Sequence, residues 1–210
     1  MDGQTLYVPR VDLNKIRAVN DQLTKETGLT IEEVMYSKMI PRDVNNYIGV
    51  YEDNTREHEH LKLKGCFEID KEYHKDPSAR IVPIALKEYF VYGKPIEETI
   101  RNHTNIFDFC LRLKTNSKSI PYYESAKEKI KLNRTTRYYV SKTGGILYKD
   151  FGDGRVSGIN VNYVNTIFNK YEKKDIKDYN INYLFYIEKA NKIRYAIEGN
   201  TLQLTLFDEY

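Results

Sequence analysis

The spacing of apolar residues changes twice along this chain, and those changes limit what it can fold into. Residues 12–26 place Leu13, Ile16, Val19 and Leu23 three or four positions apart, which is one face of a helix. Asp12 is suited to cap its start and Gly28 to end it. The next runs, 31–40, 45–52 and 61–69, are strand-like. Leu61 and Leu63 alternate with Lys62 and Lys64, which predicts a strand buried on one face. Pro41 and Asp43 mark a turn, and the polar stretch 53–60 joins two strands into a hairpin. From residue 78 the helical period returns. Residues 78–92 begin at Ser78, carry Pro83 early, and stop at Gly93. Residues 95–111 open on Pro95, with Glu97 and Glu98 suited to a helix N-terminus. Residues 137–149 predict two short strands around Gly144 and Gly145. Residues 161–171 and 181–197 read as helices, and an extended apolar tail follows Gly199. The expected class is α+β: a small antiparallel sheet, then a mostly helical domain with a β-hairpin.

Several broad classes are excluded. Aromatic residues make up 13% of the 210 residues and apolar residues recur throughout, which argues against intrinsic disorder. No apolar run reaches the roughly 18–20 residues of a membrane span. The first residues lack the basic start and apolar stretch of a secretory signal. Two cysteines cannot build a disulfide framework, so a reducing, cytoplasmic environment is expected.

The formal charge of +3 conceals an asymmetry. Residues 112–149 hold ten Lys and Arg against Glu124 and Glu128, a local charge of +8, and the remainder carries −5. Tyr122, Tyr123, Tyr138 and Tyr139 are interleaved with those cations. A polyanion is drawn to such a segment and repelled by the rest, so binding is oriented. A solvated face gives the same pattern without any ligand.

Motifs for catalysis are weak. His58-Glu59-His60 lacks the i, i+4 histidine pair of a zinc protease. Cys66 and Cys110 have no nearby partner cysteine. Asp150-Phe151-Gly152 stands without the other signatures of a kinase. Lys142-Thr143-Gly144-Gly145 lacks the glycine-spaced loop of a phosphate-binding motif. No catalytic residue and no metal ligand is assigned. The C-terminus is more specific: Gln203, Leu204, Thr205, Leu206 and Phe207 resemble the bacterial sliding-clamp-binding peptide. There Leu206 and Phe207 would fill an apolar pocket and Gln203 would bond at its rim. A terminal strand packed on its own domain is the competing reading.

Two longer stretches carry a resemblance. IEEVMYSKMIPRDVNNYIGVYEDN followed by LKLKGCFEI resembles the end of the palm in family-B DNA polymerases. There, a carboxylate-bearing strand precedes a lysine-lysine-arginine-tyrosine signature and a strand pair leading to a glycine. Asn45, Asn46, Tyr47, Ile48 and Gly49 occupy the place of the signature, and Lys64-Gly65 falls near the following turn. Downstream, KGCFEIDKEYHKDPSARIVPIALKEYF, IRNHTNIFDFC, RYYVSKTGGILYK and INYLFYIEKANKI resemble the thumb of bacteriophage-type family-B polymerases. The resemblance covers roughly residues 13–210. Two departures stand out. Asn45 and Asn46 replace the basic pair, and the metal-binding carboxylates of the family belong upstream of this chain's start.

The resemblance implies three parts: residues 1–70 as the end of the palm, 71–199 as a thumb-like DNA-binding domain, and 200–210 as a clamp-binding tail. It implies a grip on primer–template duplex through Asn45, Asn46, Tyr47, Lys62, Lys64, Arg134, Arg137, Lys142 and Lys149, and a tether through Gln203, Leu204, Leu206 and Phe207. It implies no cofactor in this chain, with Mg2+ held by an upstream catalytic polymerase portion that this chain would join. The expected partners are primer–template DNA, a sliding clamp and that portion, with no membrane; the expected location is the cytoplasm, that of the host if a phage encodes the chain. The alternative is a free-standing, non-enzymatic DNA-binding protein that recruits a clamp. A nuclease reading would need clustered carboxylates, which the sequence does not display.

Overall fold

The structure, a computed structural model, describes residues 4–52, 60–70, 72, 78–168 and 174–207, with side chains as far as residue 199. The chain divides into two compact units, Met1–Tyr36 and Ser37–Tyr210. In the first, helix α1 (Leu13–Thr27) ends where Gly28 turns left-handed at φ 69° and donates its N–H to the Thr24 carbonyl. Asp12 precedes the helix but does not cap it; its carboxylate pairs with Lys15 at 2.6 Å instead. Arg17 reaches from α1 to both carboxylate oxygens of Glu33, tying the helix to the segment that follows it.

Among the described residues, the second unit holds ten strands in three antiparallel sheets, together with three α-helices. In chain order these are β1 (Tyr36–Asp43), β2 (Asn46–Tyr51), β3 (Leu61–Lys64), α2 (Ile81–Tyr92), α3 (Ile96–Asn102), β4 (Leu111–Lys114), β5 (Ile120–Glu124) and β6 (Lys129–Lys131). They continue with β7 (Thr135–Ser141), β8 (Ile146–Asp150), β9 (Val156–Ile159), β10 (Val164–Ile167) and α4 (Tyr183–Phe207). The first sheet runs β1-β2-β3, the second β10-β7-β4 and the third β6-β5-β8-β9. One apolar cluster joins all three sheets to the helices, from Ile40, Ile48 and Phe67 through Leu86, Ile100 and Leu147 to Tyr186 and Ile197. Among the described residues no helix is long and apolar enough to cross a membrane.

This architecture corrects the expected one. The region after the first sheet is not mostly helical; seven of the ten strands among the described residues lie there. The cause is a period of two that the charges obscure. On β4, Leu111 and Leu113 are buried while Arg112 and Lys114 point the other way. On β5, Pro121 and Tyr123 are buried between outward-facing Ile120, Tyr122 and Glu124. Residues 161–171, expected to be helical, contain strand β10. Asn165 is wholly buried there and exchanges backbone hydrogen bonds with Gly145. The expected hairpin over 137–149 also fails, because β7 and β8 belong to different sheets. Gly144 and Gly145 turn the chain from one sheet to the other. A Cβ at Gly144 would run into the Asn165 carbonyl, and one at Gly145 into the Glu124 carbonyl, so the sheets approach more closely than a side chain permits.

Smaller differences have local causes. The first strand starts at Tyr36 and runs through Pro41 to Asp43, as an edge strand can. Helix α2 starts at Ile81 rather than at Ser78, with Pro83 in its first turn and left-handed Gly93 as its stop. Helix α3 ends at Asn102, and the Asn105 side chain then accepts from Phe107 N–H to open a 3-10 turn over Ile106–Phe109. Strand β3 is followed by a 3-10 turn over Gly65–Phe67. The loop 53–60 lies outside the described residues except for its last member. Helix α4 does not stop near 197 but continues through Gly199 to Phe207, so the expected extended tail is helical.

Burial fixes the pH range over which this core persists. It pushes the Cys110 thiol from its ordinary 9.0 up to about 12 and the Tyr138 phenol from 10.0 up to about 12, and it raises Tyr186 as well. A group whose folded pKa is raised contributes stability that is complete below its unfolded pKa and lost as pH climbs toward the folded value. The melting temperature should therefore stay level to about pH 9 and fall steeply from there to about pH 12. A melting series across that range checks this; a flat profile to pH 12 would show that these groups ionise without unfolding the chain.

Candidate nucleic-acid interface

The alternation on β3 settles which side chains meet on the first sheet. Leu61 and Leu63 face Val50 and the buried Ile48, so Lys62 and Lys64 point outward opposite Gly49 and Tyr47. Lys64 Nζ lies 5.7 Å from the centre of the Tyr47 ring. A cation resting on an aromatic face keeps most of its charge available to a polyanion. Tyr47, Lys62 and Lys64 therefore form one outward cluster.

Asn46 belongs to the other face. Its amide nitrogen donates to Asp43 at 2.6 Å and its oxygen accepts from Cys66 N–H at 2.7 Å. That donation, more than any other contact, holds the Asp43 carboxyl below its ordinary value. Gly65, at φ 65°, has no room for a Cβ against the Asn46 side chain and the Asn45 backbone. Asn46 is thus the clasp between the β1–β2 turn and the turn after β3, with both ends of its amide engaged within the protein. Asn45 is exposed in the turn, and its backbone N–H donates to Asp43.

The remaining predicted contacts are dispersed. Arg137 sits on β7 directly opposite Arg112 on β4, half-buried, beside the pair Lys114 and Thr135. Arg134 is exposed in the turn before β7, where its carbonyl accepts from Thr115 N–H at 2.9 Å. Lys142 is exposed after β7, and its backbone N–H donates to Asn180. Lys149 pairs with Pro121 and Ser157 on the third sheet, on the opposite face from Tyr148. Gln203, Leu204, Leu206 and Phe207 fall in the last two turns of α4, and their side chains lie outside the described residues.

The sequence reading missed one grouping. On the third sheet, Tyr122 is paired with Lys131 on one side and Tyr148 on the other. The two rings stack at 5.1 Å with planes 18° apart. Lys129 Nζ lies 4.3 Å from the Tyr122 centroid and 3.7 Å from Glu124. The signal was present in the alternation of Lys129, Ile130 and Lys131, but three residues are too few to distinguish a strand from a charged loop. Among the described residues no group of three His, Cys, Asp or Glu side chains is placed to hold a metal ion. Comparison with protein-family models, with curated proteins and with solved structures finds no match to the chain.

Proposed function

We propose that the chain grips primer–template duplex during DNA replication, as the C-terminal DNA-holding portion of a family-B-type DNA-directed DNA polymerase, and that its C-terminus tethers it to a sliding clamp. The observation that carries this reading is the outward cluster of Tyr47, Lys62 and Lys64. It lies on the strand pair whose sequence resembles the palm's end. Cations and a phenol on a rigid sheet contact phosphates without reading bases, as a polymerase that copies any template requires. Nucleotidyl transfer itself needs carboxylates that bridge two ions, so Mg2+ and the chemistry are assigned to the portion this chain would join.

Duplex binding by the chain should be weak and strongly salt-dependent. With about 4–6 phosphate contacts, log affinity should fall against log salt with a slope of about −4 to −5. Replacing Lys62 and Lys64 together by Gln should flatten the slope by about two. Anisotropy titrations of a labelled duplex at several salt concentrations measure both. An unchanged slope in the double variant would remove the first sheet from the interface and the reading with it.

A second reading, a free-standing DNA-binding protein that recruits a clamp, draws on the shared core. The first sheet is sealed into the same apolar cluster as α4 and needs no further layer to bury Ile48 or Phe67. Primer extension separates the two. The polymerase reading expects the chain to bind a purified catalytic portion and lengthen its products; the second expects neither.

A further inference from the structure

The outer face of the third sheet offers a second, differently built surface. Its lysines lie along one edge. Lys129 and Lys131 project from edge strand β6 on the same face, about 6.7 Å apart along the strand. Lys127 is exposed in the turn just before them. That interval is close to the phosphate repeat of an extended nucleic-acid strand. Inward from this edge the face becomes aromatic and apolar. Tyr122 and Tyr148 form the stacked pair, Ile146 is half-buried beside them, and Ile120 and Val156 are 46% and 50% exposed. None of these five residues joins the apolar core. The acids on this face have partners of their own: Asp150 accepts from Gly152 N–H at 2.8 Å, and Glu124 lies 3.7 Å from Lys129, whose Nζ also caps the Tyr122 ring at 4.3 Å, so that Lys127 and Lys131 are the cations on this edge left to a phosphate without displacing Lys129.

A row of cations beside an apolar strip is complementary to a strand whose bases are unpaired. The phosphates follow the lysine edge, and the bases lie over Tyr148 and the aliphatic side chains, with Tyr122 held between Tyr148 and Lys129 as their support. A duplex keeps its bases covered and has no use for the strip. The geometry points to a track for single-stranded DNA on this face, running along β6 and across Tyr122 and Tyr148. It is separate from the duplex-holding cluster on the first sheet and does not depend on a polymerase partner. The competing explanation is that the lysines only keep an edge strand from pairing with other chains.

Anisotropy titrations with a labelled oligo-dT strand and with a blunt duplex of equal length test the track. In the full chain, replacing Lys127, Lys129 and Lys131 by Gln should flatten the single-strand salt slope by about two and leave the duplex slope unchanged. Replacing Lys62 and Lys64 should do the reverse. Ile120→Glu with Val156→Glu should weaken single-strand binding at least tenfold while the melting temperature holds, since both side chains are on the surface. An unaltered single-strand slope in the triple-lysine variant would overturn the proposal. So would an equal loss on both probes, or wild-type DNA binding accompanied by higher-order association.

Discussion

Replacing Tyr186 by Phe should lower the free energy of unfolding by about 2–4 kcal/mol, although it removes one oxygen atom. Tyr186 has no exposed surface and sits on the inner side of α4. Its hydroxyl donates to the Phe109 carbonyl at 2.8 Å and accepts from Val140 N–H at 3.0 Å. One atom thus joins α4, the 3-10 turn before β4, and the central strand of the second sheet. Removing it takes the acceptor from a buried donor and the donor from a buried carbonyl, and a buried group left unpaired costs about 1–3 kcal/mol. Tyr186→Ala should cost more, about 3–5 kcal/mol, because the ring packs edge-on against Phe109 and Phe185 at 5.2 and 5.0 Å. Urea unfolding of both variants provides the measurement. A loss below about 0.5 kcal/mol in Tyr186→Phe would mean that water or a shifted backbone replaces the hydroxyl.

Deleting residues 201–210 should abolish clamp binding and leave the melting temperature nearly unchanged. The innermost turns of α4 are held by Phe185, Tyr186, Ala190 and Ile197, all buried, and the deletion begins beyond them. Gly199, inside the helix, is a weak point, since glycine in a helix interior costs about 1 kcal/mol relative to alanine. The final turns can therefore unwind at little cost if the clamp requires an extended peptide. Leu206→Ala and Phe207→Ala should each weaken binding by about 2 kcal/mol, the usual effect of truncating an apolar anchor. Gln203→Ala should cost less, because water can stand in for an amide at a rim. A thermal melt beside a clamp titration decides the matter. A large drop in melting temperature with unchanged clamp affinity would make the C-terminal turns part of the folded core and end the tether proposal.

The candidate interface was partly legible in the sequence. Lys62, Lys64 and Tyr47 came from an alternating strand and a neighbouring strand, and alternation names the outward side chains without further information. The structural bonds of Asn46 were not legible, because an asparagine suits a DNA contact and a turn equally well, and the N–H of Cys66 that its oxygen accepts lies twenty positions away. Tyr122 and Tyr148 are twenty-six residues apart, and nothing local says that their rings stack.

The sequence by itself determined the elements whose signals are long or sharply punctuated: α1 with its glycine stop, α2 and its stop at Gly93 though not its start, the Leu-Lys alternation of β3, and the body of α4. On β3 the periodicity also names the inward face, whereas on α1 no residue is buried and Val19 and Leu23 of its apolar face are exposed. Only the tertiary structure decided how the middle of the chain is divided between two sheets. Its strands are three to seven residues long, too short for periodicity to distinguish from loops, and they pair across the chain: β4 with β7, β5 with β8, β7 with β10. Gly144 and Gly145 show the reason most directly. Two glycines between strands read locally as a hairpin, yet what they accommodate is the backbone of Asn165 and Glu124, and that contact exists only after both sheets have formed.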